Sequence, residues 1–206
     1  MKRVELLGNV RSPYVRRVRI VALELGVELG WIDTDRPEGE ALLRELNPLW
    51  KMPVARFAQA ERALFESGLI NRELLRRYGP EPLAPWDEGD ALAQTLLAVI
   101  DGVLDSRLNV AYLARDGIAA EASPYLRKQQ ARAEHALGWL ERHAAEWLRQ
   151  ARQFGLVDIA WLTTCHTLRT RHGIPLAQHP NLLAWAERHA GRSSVLSTSP
   201  DAPAPA

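Results

Sequence analysis

The stretch Gly79-Pro80-Glu81-Pro82-Leu83-Ala84-Pro85 constrains this chain more than any other. Its prolines lack a backbone N–H and hold φ at about −65°, so neither a helix nor a central strand runs through it. The hydrophobic pattern differs on its two sides. Before it, short apolar runs alternate with helix-period stretches; after it, the helical period continues alone. We read residues 80–89 as a linker between one domain over 1–79 and another over 90–206. The Ser-, Ala- and Pro-rich end is expected to be a flexible tail without a core of its own from about 197. A chain of 206 residues has room for two such domains.

The first half reads β-α-β-α-β-β-α. Val4–Gly8 is a strand, and Ser12-Pro13 opens a helix, since Ser caps and Pro is tolerated in the first turn. Val15, Val18, Ala22 and Leu25 then give that helix one apolar face, and Gly26 ends it. Arg16, Arg17 and Arg19 are expected on its solvated or interface side. Val27–Ile32 is a second strand, and Glu40–Leu46 a short helix stopped by Asn47-Pro48. Pro53–Phe57 and Ala63–Phe65 are two close strands, and Gly68–Tyr78 a helix. In the second half Leu92, Leu96, Val99 and Val103 mark one helical stripe, and Leu126, Ala133, Leu137, Leu140, Ala144 and Trp147 another. Gly155 caps a helix in which Asp158 is the N3 residue and Phe154 staples to Ile159. A last helix starts near Pro180.

Charge excludes some partners. With 26 basic and 25 acidic residues the chain carries +1, and the halves carry +3 and −2. No net field draws in nucleic acid or an anionic membrane, although 23 of the 26 cations are arginine. No signal-peptide core or membrane-length apolar run is found, which points to the cytoplasm. The single cysteine, Cys165, cannot form an intrachain disulfide and reads as a core residue inside a helix. The six histidines show no metal-ligand spacing, and no tightly bound cofactor is expected.

Four strings in order, S-P-Y-V-R-R-V-R-I, N-P-L-W-K-M-P-V, F-E-S-G-L-I and L-V-D-I-A, resemble the glutathione S-transferase family over nearly the whole chain to about Ala190. The likeness is greatest to bacterial members with Ser where glutaredoxin-like and omega-type relatives have Cys. It implies a thioredoxin-like α/β N-terminal domain, an all-α helical-bundle C-terminal domain, a homodimer, and detoxification of electrophiles as the setting. Arg72, Arg76 and Arg77 opposite Asp101 and Asp105 could supply the charge for such a dimer.

The resemblance also assigns the residues. Glutathione's thiol titrates at about 8.5–9, so an enzyme that uses it must stabilise the thiolate. Ser12 sits where a hydroxyl donates to that sulfur at the start of a helix; equally, a Ser there is a helix cap, and the roles are compatible. Tyr14, in the aromatic position of the motif, is a substrate-pocket candidate and a second candidate hydroxyl; Asn9 and Arg11 are polar neighbours. Pro53 is implied to be cis, with the backbone of Met52 pairing with the cysteinyl part of glutathione like an added strand. Lys51 reaches the glycyl carboxylate, beside Trp50, where relatives often have glycine. Glu66 meets the γ-glutamyl ammonium, and Ser67 with the helix N–H groups meets its carboxylate. The leading function is glutathione transfer to a small electrophilic molecule held between the domains. The alternative is a non-catalytic protein of the same fold that binds a protein partner. A disulfide reductase would need Cys at position 12.

Overall fold

The computed structural model describes residues 2–58, 60–150 and 152–202. Its chain divides into two compact units: one of residues 1–86, 152–159 and 190–206, the other of 87–151 and 160–189. The first unit holds strands β1 (Arg3–Gly8), β2 (Glu28–Asp33), β3 (Val54–Phe57) and β4 (Leu64–Phe65). Helices α1 (Pro13–Glu24), α2 (Pro37–Leu46) and α3 (Ser67–Tyr78) connect or follow them, in the β-α-β-α-β-β-α order read from the sequence. Helix α2 begins at Pro37, earlier than Glu40, because a proline at the first helical position is already set in φ and loses no bond there.

The sheet order is β2-β1-β3-β4. β1 and β2 run parallel through the crossover helix α1, whereas β3 and β4 pair antiparallel with their neighbours. Alternation along the strands sends Leu7 and Val54 to one face, where they meet Leu43 of α2 with Ile32 and Phe65 around them. The opposite face carries α1 and α3, which pack on each other. A Cβ built on Gly8 would lie 2.5 Å from a Val15 methyl, so glycine is what allows β1 to pass this close to α1.

The second unit is helical. It contains α4 (Ala91–Arg115), α5 (Pro124–Arg149), the part of α6 (Leu156–Arg171) beyond Ile159, and α7 (Pro180–Glu187). α4 and α5 pack along their length. The buried stripe of α4 is Ala93, Leu96, Ile100, Val103 and Leu104, with Leu92 and Val99 half-buried. Both frames are apolar at helical spacing, so the pattern alone could not choose between them. Trp185 stands 5.9 Å from both Trp147 and Trp161. The Trp161 indole N–H donates to Leu182 O at 2.8 Å, and the Glu141 carboxylate accepts from Asn181 N and Leu182 N to cap α7.

At the start of α6 the capping box is half present. The Asp158 carboxylate accepts from the Gly155 N–H at 2.9 Å, and Phe154 and Ile159 are both buried. Cys165 is buried as expected, and burial pushes its thiol up to about 12. Among the described residues no helix is long and apolar enough to cross a membrane, and no cluster of His, Cys, Asp and Glu is arranged to hold a metal.

Two expectations are corrected in the first unit. Arg16, Arg17 and Arg19 are not solvated: they are 4%, 2% and 4% exposed. A helix packed on several sides has no free face for them, so each lays its stem along apolar surface and its head group finds an acceptor or a ring. Arg17 lies 4.8 Å from the Tyr14 ring centre and Arg19 5.7 Å from that of Trp31. The chain end is not a tail from 197 either. Helix α8 (Ser193–Ser197) packs on α1, with Val195 and Thr198 buried. Its few apolar residues suffice because polar bonds to α1 do the rest; residues 203–206, the end of the expected tail, lie outside the described residues.

Candidate functional site

The register Leu7↔Val54↔Phe65 gathers the site at one end of the sheet. β1 leaves the sheet there toward Ser12, β3 enters it there from Met52-Pro53, and β4 leaves it there into Glu66-Ser67. Because β2 runs parallel to β1, with Gly8↔Asp33, the loop after β2 falls at the same end. Antiparallel pairing has brought three sequence-distant segments to one edge, at the carboxyl end of the parallel pair.

Each segment is held by local bonds. The Asn9 side-chain oxygen accepts from Arg11 N at 3.1 Å and Ser12 N at 3.0 Å, folding the β1-to-α1 turn around one amide. Asp35 then takes Asn9 Nδ2 at 3.1 Å and the Arg11 guanidinium at 2.8 Å. Asp35 was not anticipated. Its signal was the parallel crossover itself, which obliges the loops after β1 and β2 to lie side by side. Ser12 is the N-cap of α1, its Oγ accepting from Val15 N at 3.3 Å. That bond occupies one lone pair and leaves the hydroxyl proton to donate elsewhere.

The Met52-Pro53 bond is cis, as the resemblance implied. Among the described residues the Met52 N–H and C=O take no hydrogen-bond partner; its sulfur receives the Thr34 hydroxyl at 3.7 Å. Asn47 is buried and donates to Lys51 O at 2.7 Å, which fixes the approach to Met52 while the Lys51 side chain stays exposed. Trp50 adopts φ 53°, a conformation that glycine takes without strain, and lies 61% exposed under the Arg44 guanidinium at 4.6 Å.

At the third segment the cap is Glu66, not Ser67. Glu66 sits at φ 80°, unusual for a side chain with a Cβ, and its carboxylate accepts from Gly68 N at 2.8 Å and Leu69 N at 3.0 Å. The Ser67 hydroxyl donates to the same carboxylate at 3.3 Å and is buried. Arg76 and Arg77, nearly three helix turns further along, both bind Glu73 and hold its carboxyl down at about 2, chiefly through the Arg76 hydrogen bond. Their charge is thus shared within α3.

The site so assembled offers a hydroxyl at a helix N-terminus, a bare strand-like peptide unit, and a carboxylate beside helix N–H groups. It suits a ligand with peptide groups to pair and charged groups to meet. The family model for the glutathione S-transferase N-terminal domain matches residues 6–82, and that for the C-terminal domain residues 88–188. A glutathione S-transferase from Methylobacterium radiotolerans, solved with glutathione sulfonate, superposes with TM-score 0.79 at 27% identity, covering 99% of this chain and 98% of that one. A glutathione transferase family member from Pseudomonas fluorescens with bound glutathione gives TM-score 0.79 at 27% identity over 98% and 100%. Glutathione S-transferase 4 of Zea mays is 27% identical over 93% of this chain and 90% of its own. By its two matched domains, its sheet order and its helical second half, the chain belongs to the glutathione S-transferase family.

Proposed function

We propose that this chain, a glutathione transferase, holds glutathione along the end of its sheet and uses the Ser12 hydroxyl to stabilise the thiolate for attack on a small electrophile. The observation that carries the proposal is the Ser12 geometry. Its oxygen accepts from Val15 N, which leaves the hydroxyl proton to donate to a group in front of the helix start. A hydrogen bond to a charged group contributes about 1.5–3 kcal/mol, and the α1 N-terminus adds about 0.3–1, which together lower a thiol pKa by roughly one to three units.

The other assignments follow from the donors and acceptors present. The unpaired N–H and C=O of Met52 pair with the cysteinyl peptide units as an added strand. Lys51, exposed and next to Met52, meets the glycyl carboxylate. A carboxylate accepts about four hydrogen bonds. Glu66 spends three on Ser67, Gly68 and Leu69 and keeps capacity for the γ-glutamyl ammonium. The γ-glutamyl carboxylate takes the Ser67 N–H, which Glu66 does not occupy. Tyr14 is assigned to the electrophile's surroundings, its ring fixed by Arg17.

The setting proposed is cytoplasmic detoxification of electrophiles by a homodimer. Charge between α3 and α4 supports that assembly less than the residue count suggests, since Glu73 already takes Arg76 and Arg77. Light scattering should give twice the 23.1 kDa chain mass. The functional test is calorimetric titration of glutathione followed by a panel of electrophiles. Binding with conjugation supports the proposal. Absence of glutathione binding would overturn it in favour of a protein-binding member of the fold.

A further inference from the structure

Arg16 stands one helical turn after Ser12, and its N–H donates to Ser12 O at 3.0 Å as the first hydrogen bond of α1. Its side chain is buried, and its guanidinium donates to Val195 O at 3.0 Å and to Thr198 Oγ1 at 3.4 Å. Thr198, itself fully buried, passes the bond on to Ser194 O at 2.8 Å. The far end of α1 is tied to the same segment: Arg192 binds the Glu24 carboxylate with two N–H groups at 2.8 and 2.7 Å, and Ser194 also donates to it. So residues 192–198 brace α1 at both ends, and the brace at the Ser12 end consists of one buried cation.

A buried guanidinium is a costly way to fasten a helix. An apolar side chain of similar volume would pack there without desolvating a charge. Burial and the neighbouring Arg19 pull its pKa down to about 10, with Asp201 of the C-terminal segment opposing them. Among the described residues its Nη1 has no partner. A side chain retained against such costs is explained when its rigid, planar fork fixes something that apolar packing would leave free to slide.

We propose that Arg16 is a positioning residue for Ser12: by tying the first turn of α1 to Val195 and Thr198 it holds the Ser12 hydroxyl in the orientation that meets the glutathione sulfur. The inference rests on the Ser12 reading above. It acts through Ser12, and it gives the last described stretch of chain a part in the chemistry of the α/β unit.

The experiment is a double-mutant cycle on kcat/KM for conjugation, with the pH profile recorded for each protein. Arg16→Met should slow conjugation about tenfold, raise the apparent pKa of bound glutathione by about half a unit to one unit, and leave glutathione affinity within about threefold. Combined with Ser12→Ala it should add nothing, because the hydroxyl it positions is gone. Thr198→Val, which removes one acceptor and keeps the charge, should give a smaller loss of about threefold that also vanishes on Ser12→Ala. This second variant carries the test if Arg16→Met does not fold, as judged by circular dichroism. Multiplicative losses in the double mutants, or an unshifted pH profile, would overturn the inference. If Ser12→Ala itself conjugates at the wild-type rate, the thiolate-stabilising reading fails instead, and the two failures are distinct.

Discussion

Helices α1 and α3 start at the same end of the same sheet, yet they are capped in opposite ways. At α1 a neutral hydroxyl with ordinary extended backbone, φ −73° and ψ 121°, accepts from one N–H. At α3 a carboxylate at φ 80° accepts from two. The charge-bearing cap satisfies its helix more fully, since an anion and a helix N-terminus attract. It also leaves fewer N–H groups for an anionic ligand, the Ser67 N–H being the one proposed for the γ-glutamyl carboxylate. The neutral cap does the reverse. It satisfies little and keeps both a donor and the helix field, which the proposed function assigns to a thiolate. On the proposed assignment, the α3 start steadies the backbone and receives the zwitterionic end of glutathione, and the α1 start receives its thiolate.

The largest effect that would break this comparison is on the chemical step. Ser12→Ala should lower kcat/KM for conjugation by roughly 10- to 1000-fold, as for loss of one donor to an anion, while glutathione binds within a few-fold. Ser12→Cys should lose conjugation and, incubated with oxidised glutathione, exchange with it to a mixed disulfide and release one glutathione thiol, seen as added mass that reductant removes. Wild-type conjugation by Ser12→Ala would make Ser12 a cap alone and move attention to Tyr14 or Asn9.

The next effect is on binding. Glu66→Gln keeps an acceptor for the helix but removes the charge, and should weaken glutathione about tenfold with kcat little changed. A glutathione analogue lacking the α-amino group should bind wild type and Glu66→Gln alike. If the variant still discriminates against that analogue, Glu66 is not the ammonium's partner.

Stability should not separate the two helix starts. Ser12→Ala and Glu66→Ala each remove a cap and should each cost about 1 kcal/mol by denaturant unfolding. The smallest effect concerns Glu73 further along α3. Its carboxyl titrates lower in the folded chain than unfolded, so it adds stability at pH above its unfolded pKa and loses it as pH falls toward about 2. Glu73→Gln should therefore lower the melting temperature slightly at pH 7, and the gap should close between about pH 4.5 and 2. A gap that persists at pH 2 would mean that Glu73 acts through packing.

The element order, the Ser12 cap and the half capping box at Gly155 were legible because each depends on residues within a few positions of one another, whereas the cis Met52-Pro53 bond was expected only from the family resemblance. The Glu66 cap was missed for a local reason: a glutamate at positive φ is rare, and Ser67 is the better capping residue by type. Arg16, Arg17 and Arg19 were misplaced for a non-local one. Their fate depends on how many sides of α1 are covered, and for Arg16 the covering segment lies about 180 residues away.

From its sequence alone, this protein's periodicities, turn residues and capping residues dictate a mixed α/β half, a proline break and a helical half, since these are short-range matters of φ, ψ and apolar spacing. Only the tertiary structure decided which end of the sheet gathers Ser12, Met52 and Glu66, and that Asp35 joins them. It also decided that the C-terminal residues clasp α1. Strand register and burial are set by pairing and packing between distant segments, and no local pattern encodes which distant surface will arrive.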